Sequence, residues 1–237
     1  MHGVGRTDIG RVRDENQDVF AVREDLGLAV VADGVARPRA GRIAAEVAVN
    51  TTLEYFNGVR EQEPLTEDHL RRALEIANDR VFGLSSAIST YRGMATTVVV
   101  TVVDGTKGFV GHVGDSRAYR LRDDELTGIT KDHSAVQPLV DAGVLTPAQA
   151  RVAPDRHVVT RAIGAEPMLR PEVRPLEVLP GDLLLLCTDG LTEHVEDGEI
   201  RGWLAGEGDL DETADRLVEA AIDAGGSDNV TVVLVRC

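Results

Sequence analysis

The stretch Leu28-Ala29-Val30-Val31-Ala32-Asp33-Gly34 is an apolar run that ends directly on a carboxylate and a glycine. A short apolar run bounded by a turn residue predicts a strand buried on both faces. Asp33 therefore stands where a core strand emerges. A carboxylate in such a place must be hydrogen-bonded, paired or bound to a cation. Gly34 permits close backbone approach, so its carbonyl can also become an oxygen ligand.

The same arrangement recurs elsewhere in the chain. Asp115 and Asp189 each follow a mostly apolar run, and Asp228 precedes one. A single Asp-Gly pair is more often an ordinary turn. Four carboxylates at strand ends instead predict one oxygen-ligand metal site assembled from distant parts of the chain.

Composition limits the class of protein. A chain of 237 residues with 43% hydrophobic residues suits one large globular domain spanning 1–237. The net charge of −15 argues against nucleic acid or an anionic membrane as the main partner. The two cysteines, Cys187 and Cys237, form no disulfide framework. Residues 1–13 lack the apolar core of a signal peptide, and no run reaches the ~18 residues of a membrane span. These features predict a cytoplasmic protein without a membrane segment, with a monomer as the default.

The periodicity predicts antiparallel strands and three long helices. Strands are expected over 19–22, 26–32, 96–103, 107–113, 117–121, 174–178, 182–187 and 229–235, and helices over 42–56, 66–84 and 209–224. The first two strands form a hairpin. An α+β fold follows, in which antiparallel sheets pack together with helices outside them.

The segment 132–164 has a different character, with two short helical patches and no strong strand. Thr146-Pro147-Ala148-Gln149 is a capping box with proline at the first helical position. A short helical insertion between sheet strands predicts a lid or a substrate-facing flap.

Arg13 and the six histidines also have ordinary structural explanations. A lone Arg13 would pair with Asp14 or Glu15 on the surface, but beside a metal cluster its planar fork matches two phosphate oxygens. His112 is expected in the core, His133 could order the flap, and the other four histidines are expected at the surface. No Gly-x-Ser-x-Gly elbow supports a Ser-His-Asp hydrolase.

Seven short motifs follow one another along the chain. They are Arg13-x-x-Asn16-Gln17-Asp18, Val31-Ala32-Asp33-Gly34, Gly93-Met94-Ala95-Thr96-Thr97, Val113-Gly114-Asp115-Ser116-Arg117-Ala118-Tyr119, Thr160-Arg161-Ala162-Ile163-Gly164, Cys187-Thr188-Asp189-Gly190-Leu191 and Ser227-Asp228-Asn229-Val230-Thr231. In this order and spacing the chain resembles the metal-dependent serine/threonine protein phosphatases of the PPM or PP2C family, in their bacterial form. The resemblance implies a four-layer α-β-β-α sandwich of two antiparallel sheets flanked by helices, with 132–164 as the family's flap.

The resemblance also implies a ligand set for Mn²⁺ or Mg²⁺. By motif position, Asp33 bridges two metals, the Gly34 carbonyl binds one of them, and Asp189 and Asp228 bind the other. Asp115 matches the ligand of a third, weaker metal of bacterial members, shared with Asp189. Hard oxygen ligands of this kind favour Mg²⁺ or Mn²⁺ over Zn²⁺.

The remaining roles complete the expected chemistry. By resemblance, Arg13 binds the substrate phosphate, Asp18 holds metal-bound water, and Asn229 orients its neighbour Asp228. Arg13, Asp18 and Asp33 are the expected catalytic residues. The implied activity is hydrolysis of phosphoserine and phosphothreonine in proteins by a metal-bridging hydroxide, which opposes bacterial serine/threonine kinases.

Several positions depart from the family pattern. Residues 35–41 replace two glycines and a histidine, so this loop is expected to be stiffer, bulkier and more basic. Val35 cannot donate a proton, which leaves a metal-bound water to protonate the leaving alkoxide. Gln17 stands where many relatives have a glutamate ligand, and Ala95 replaces a glycine. Because the core aspartates are intact, we expect activity with altered substrate selection.

Two other functions remain open at this point. A non-catalytic member of the family would bind phosphoproteins or a regulatory partner. Gln17 and the altered loop are consistent with that alternative. A phosphatase or phosphodiesterase for small molecules could use the same metal site.

Overall fold

The computed structural model describes residues 1–36, 39–59, 64–206 and 208–237. Its strands are β1 (His2–Asp8), β2 (Asp18–Arg23), β3 (Leu28–Val35), β4 (Ala95–Thr96), β5 (Val98–Asp104), β6 (Lys107–Val113), β7 (Arg117–Arg122), β8 (Glu125–Gly128), β9 (Glu172–Glu177), β10 (Leu183–Cys187) and β11 (Val230–Arg236). Its α-helices are α1 (Ala40–Val59), α2 (Glu67–Ala87), α3 (Gln137–Asp141), α4 (Pro147–Arg151), α5 (Asp189–Thr192), α6 (Asp197–Leu204) and α7 (Leu210–Asp223). No helix within these ranges is both long and apolar enough to cross a membrane.

The strands form two antiparallel sheets. The first has the order β1-β11-β10-β7-β8, and the second has the order β2-β3-β5-β6-β9 with β4 paired to β3. Between the sheets lies an apolar layer that includes Val31, Val99, Leu184, Leu186 and Val233. Helices α1 and α2 cover the outer face of the second sheet, and α6 and α7 cover that of the first. The expected α-β-β-α sandwich is confirmed.

The β2–β3 hairpin determines where the predicted site lies. Residues 28–32 are all buried, as the apolar run predicted. The register places Asp18 directly opposite Asp33 at the open end of the hairpin. Opposite residues in an antiparallel pair have Cβ atoms about 5 Å apart, so the pairing alone brings two carboxylates together.

Four elements were not expected from the sequence: β1, β8, α5 and α6. Strand β1 pairs with β11, from His2 opposite Arg236 to Asp8 opposite Val230. It is an edge strand whose residues are mostly only partly buried, so it lacks the apolar alternation that would have revealed it.

The flap over 132–164 contains the two expected short helices, and the Thr146–Gln149 capping box is present. Its base is attached to the sheets. Backbone bonds join Thr96 and Ile163 in both directions, at 3.0 and 2.8 Å. The flap therefore has a fixed base, whereas Val144 and Val152 at its outer part are exposed.

A partly buried ion pair connects β7 to the turn that precedes β10. Arg122 donates from Nε and Nη2 to the two carboxylate oxygens of Asp182, both at 2.7 Å, and Leu179 donates its backbone N–H to the same carboxylate at 2.8 Å. These bonds, led by that from Arg122, hold the pKa of Asp182 below its usual range. A lowered pKa means that the charged form stabilises the fold.

We expect Asp182→Asn to lower the free energy of unfolding at pH 7 by roughly 1–2 kcal/mol, because the partly buried charged hydrogen bonds are lost. The difference from the wild type should stay constant above the unfolded pKa of about 3.9 and shrink as the pH falls through the lower folded pKa. Urea denaturation from pH 3 to pH 7 measures this. Asp25→Asn, which removes an exposed bidentate pair with Arg23, is the control. A difference that grows below pH 4 would contradict the assignment.

Candidate active site

Asp18 lies at the junction of the two sheets. Its Oδ2 accepts hydrogen bonds from the hydroxyls of Thr231, at 2.6 Å, and Thr188, at 3.0 Å. Both threonines belong to the β10–β11 end of the first sheet, whereas Asp18 begins a strand of the second. One oxygen of this carboxylate is thus fixed by two donors, and the sheets are joined at the site.

Asp189 is held at the start of α5. Thr188 caps this short helix in an extended conformation, and the backbone N–H of Glu193 bonds to the Asp189 carbonyl at 2.8 Å. A Cβ on Gly190 would overlap the backbone of Asn229. Glycine is therefore required here, because the helix backbone and the start of β11 are in close contact.

Arg13 is paired with a different carboxylate from those expected. Its Nη2 lies 2.5 Å from Oδ2 of Asp228, and its pKa is raised mainly by this bond. The surface partners Asp14 and Glu15 are not used. The structure therefore brings Arg13 to the carboxylate cluster, where the sequence placed it only by resemblance.

Asn229 has a wider role than the expected orientation of Asp228. Its backbone N–H donates to Asp228 Oδ1 at 2.8 Å. Its side chain accepts from the backbone of Gln17 at 2.8 Å and donates to the carbonyls of Ile9 and Glu15 at 2.9 and 3.0 Å. This one side chain therefore anchors the loop that carries Arg13.

Asp115 lies in a tight turn beside the flap. Gly114 has a positive φ of 109°, and a Cβ there would overlap Thr97. His133 fixes the turn from the flap side, because it accepts from the Gly114 N–H at 3.1 Å and donates its own N–H to the Gly114 carbonyl at 2.9 Å. Arg117 forms a bidentate pair with Asp132 at 2.7 and 2.8 Å.

The carboxylates carry more negative charge than the protein itself compensates. Burial, followed by repulsion from Asp18, Asp189, Asp228 and Asp115, raises the pKa of Asp33 well above its usual range. Burial likewise raises the pKa of Asp18 and that of Asp115 to about 6. The pKa of Asp189 also rises, first through burial and then through Asp115 and Glu193. A bound cation would relieve this repulsion.

Two buried oxygens point to a bound cation together with its water. Oδ1 of Asp18 and Oδ1 of Asp189 are inaccessible to solvent and have no hydrogen-bond partner in the described part of the chain. Such atoms are costly unless something binds them. The atoms available as metal ligands are hard carboxylate oxygens, which suit Mg²⁺ or Mn²⁺. The residues present therefore fit the divalent cations that the sequence predicts.

The loop after Asp33 is only partly described. Gly34 and Gly41 pack backbone against backbone, and a Cβ on either would overlap the other. The N–H of Arg39 and the amide of Gln17 both contact the carboxylate of Glu15, which ties the N-terminal loop to the start of α1. The expected basic loop from Arg37 to Arg42 includes 37 and 38, which lie outside the described residues. The ligand role of the Gly34 carbonyl stays a prediction.

A cleft of about 810 Å³ lies between the flap and the first sheet. Asp115 and Asp189 line its inner wall, and Arg151, Arg156 and His157 line its flap side. The cleft therefore borders the carboxylate cluster and is open to the basic side chains of the flap.

The histidines behave largely as expected. His112 is buried and its Nε2 bonds to the Lys131 carbonyl at 2.6 Å. Its ring stacks on His133 at 4.5 Å between centroids, and burial lowers the pKa of His133 to about 4. The two neutral rings brace the flap base.

Sequence reasoning missed the residues that hold the cluster from behind. Thr188 and Thr231, which fix Asp18, belong to two of the seven motifs, but the sequence predicted no role for either. The signal available was their position: each stands one or three residues from a site aspartate at the end of a buried strand. Which carboxylate they would reach depends on the packing of the two sheets, which the chain pattern does not specify.

Comparison with known proteins identifies the family. A family model described as protein phosphatase 2C matches residues 10–225. Protein phosphatase PhpP of Streptococcus pneumoniae is 35% identical over 97% of this chain and 94% of its own length. The crystal structure of the Mycobacterium tuberculosis serine/threonine phosphatase PstP/Ppp superposes with a TM-score of 0.90 at 34% identity, covering 98% of this chain and 97% of that one. The catalytic domain of PstP in complex with two manganese ions gives a TM-score of 0.88 at 34% identity, covering 98% and 96%. This chain therefore belongs to the protein phosphatase 2C family of metal-dependent serine/threonine phosphatases.

Proposed function

We propose that this chain hydrolyses phosphoserine and phosphothreonine in proteins at the carboxylate cluster. The observation that carries the proposal is the pair of buried, unpartnered oxygens on Asp18 and Asp189, from opposite sheets, beside Asp33 and Asp228. Bound Mn²⁺ or Mg²⁺ would make a water nucleophilic near neutral pH and neutralise phosphoryl charge. The manganese complex of the related PstP domain supports Mn²⁺.

The residues would hold the cations as follows. Asp33 would contact both central cations, with the Gly34 carbonyl on one of them and Asp189 and Asp228 on the other. Asp115 and Asp189 would hold a third, more weakly bound cation. The crowding of these carboxylates supports this assignment. In this proposal all of these protein ligands belong to one catalytic domain spanning 1–237.

Arg13 and Asp18 would act on the substrate and on water. Arg13 can present N–H groups to two phosphate oxygens, since its bond to Asp228 uses Nη2 and the described residues make no further contact with its guanidinium group. Asp18 would accept a hydrogen bond from the attacking water through Oδ1, because Oδ2 is already occupied by Thr188 and Thr231. Val35 offers no proton, so the leaving oxygen takes its proton from water.

The family and the cleft both support protein substrates. We propose phosphoproteins of a bacterial serine/threonine kinase, and the kinase itself, as the substrates. The open cleft of about 810 Å³ beside Asp115 supports a protein segment as the substrate. Location in the cytoplasm and a monomeric state stay predictions.

The direct test is hydrolysis of a phosphothreonine peptide and of p-nitrophenyl phosphate, with and without Mn²⁺. We expect Mn²⁺-dependent turnover that Asp33→Asn lowers more than about 100-fold, since a central ligand is lost. Asp79→Asn, an exposed position on α2, is the control. Turnover of nucleotides or sugar phosphates in preference to the peptide would favour the small-molecule alternative, and no turnover with any divalent cation would favour a phosphoprotein-binding role.

A stability measurement tests the cation site without turnover. At 100 times the dissociation constant, Mn²⁺ should stabilise the wild type by about 2.7 kcal/mol, or a rise in Tm of about 5–10 °C. Asp33→Asn should raise the Tm measured in chelator, because repulsion is relieved, and abolish most of the response to Mn²⁺. Differential scanning calorimetry in chelator and in Mn²⁺ measures both. A variant that is less stable in chelator yet fully responsive would contradict the assignment.

The threonine donors provide a finer test. Thr231→Val keeps the shape of the side chain and removes the 2.6 Å bond to Asp18. Asp18 is proposed to hold metal-bound water, and groups beyond the direct ligands typically contribute 10–100-fold to metal affinity or activity, so we expect Mn²⁺ affinity to fall by up to about that factor. Isothermal titration calorimetry measures it, with the exposed Thr127→Val as the matched control. Unchanged affinity would show that the orientation of Asp18 does not matter for cation binding.

A further inference from the structure

The outer part of the flap, 142–163, is basic although the protein as a whole is acidic. It carries three arginines, Arg151, Arg156 and Arg161, and a single acidic residue, Asp155, so its formal charge is +2 with histidine neutral, whereas the whole chain has a net charge of −15. Arg151 and Arg156 line the flap side of the cleft that borders the carboxylate cluster. A basic wall of this kind attracts anionic groups.

We propose that Arg151 and Arg156 select substrates with a second negatively charged group, a carboxylate or a phosphate, near the residue that is dephosphorylated. The inference rests on the proposed function, because the phosphorylated residue must enter the cleft at the carboxylate cluster. It adds the class of substrate: phosphoproteins that present an acidic or a further phosphorylated side chain to the flap.

The two guanidinium groups are free to bind an anion. Twelve other arginines in the described part of the chain form ion pairs with aspartate or glutamate, but the described residues form no ion pair with Arg151 or Arg156. The Arg156 side chain donates only to the Ala153 carbonyl within these ranges, at 3.4 Å. Because each guanidinium group has five N–H donors in a planar fork, it can still bind a carboxylate or a phosphate through two of them.

The backbone holds both side chains on the cleft wall. Arg151 is the last residue of α4, which begins at the Thr146 capping box. Beyond it, backbone bonds from Ala153 N–H to the Ala150 carbonyl and from Arg156 N–H to the Ala153 carbonyl, both at 3.2 Å, continue the turns. The binding groups thus project from an ordered segment, so that binding requires little further ordering of the backbone.

The other charges in the cleft direct an anion towards this wall. Arg117 and Lys131, which also line the cleft, are already paired with Asp132 and Asp141. The opposite side, towards α5 and α6, carries carboxylates. An anionic side chain of a substrate is therefore repelled from one side and attracted to the other, and this complementarity favours contact with the flap arginines.

A structural role in the flap is the alternative explanation. Arg151 stands in the last turn of α4, where a positive charge interacts favourably with the helix dipole. Arg201 provides a matched control, because it is an exposed arginine in the last turn of α6 and does not line the cleft. A structural role would affect all substrates equally, whereas selection acts only on those with the second charge.

The test compares kcat/KM, in Mn²⁺, for phosphothreonine peptides of one length. One has neutral flanking residues, a second series carries a single glutamate moved along the peptide, and a third carries a non-hydrolysable phosphonate analogue of phosphothreonine at the same positions. We expect the wild type and Arg201→Gln to prefer the best anionic peptide about tenfold, mainly through KM, since each exposed ion pair contributes a factor of up to about five. The preference should fall as salt is added.

Substitution of both arginines should remove this preference. For Arg151→Gln combined with Arg156→Gln, we expect the ratio of kcat/KM between anionic and neutral peptides to approach one, with Arg156→Gln alone giving an intermediate ratio. Circular dichroism checks that the variants are folded, and the single variant serves if the double variant is not. A preference for the phosphonate without one for glutamate would identify a second phosphate as the recognised group, and equal preferences would show that a carboxylate suffices.

The outcomes separate this proposal from the phosphatase proposal. Equal kcat/KM for all peptides in the wild type, a preference that persists in the double variant, or an equal loss for neutral and anionic peptides would overturn the selection by Arg151 and Arg156, while turnover itself would uphold the phosphatase. Without any turnover the phosphatase proposal fails. Fluorescence anisotropy of the same labelled peptides in Mn²⁺ then decides: tighter binding of the anionic peptide that the double variant loses would support the selection, and equal binding would overturn it.

Discussion

Repulsion between carboxylates held at the junction of two sheets is the constraint on which this structure depends. The β2–β3 register sets Asp18 against Asp33, and the packing of the other sheet adds Asp189 and Asp228 to the same place. Apolar strands on both sides keep the carboxylates out of bulk water. This crowding of negative charge lowers the stability of the fold. Its cost is offset by hydrogen bonds from Thr188 and Thr231 to Asp18, by the ion pair of Arg13 with Asp228, and by cations bound at the site.

Much of this was predictable from the chain, and the reasons for success and failure differ by element. The hairpin and the aspartates at strand ends were predictable because a fully buried strand gives a continuous apolar run that ends on a polar residue, as 28–34 does. Strand β1 was not, because an edge strand with partly buried residues shows little alternation. Helix α5 was hidden because its four residues follow a strand without a separate apolar period.

The connections between parts of the site were the least predictable features. Arg13 is bound to Asp228 across 215 positions of sequence, and Asn229 anchors the same loop through its side chain. Sequence patterns indicate which face of a helix or strand is buried. They do not indicate which polar side chains from two different elements will pair. Family resemblance placed these residues in one site, while the contacts that hold them there are tertiary.

The flap combines a rigid base with a surface that is free to vary. Stacked His112 and His133 and the Thr96–Ile163 bonds fix its two ends against the sheets, whereas Val144 and Val152 are exposed. Substitutions in the exposed part can therefore alter which protein surface meets the cleft without disturbing Asp115 or Asp189. His133 at the base is in the opposite situation: it bonds to Gly114, which precedes Asp115, so a change there acts on the site itself. The fixed base and the exposed outer part of this insertion can therefore be mutated independently of each other.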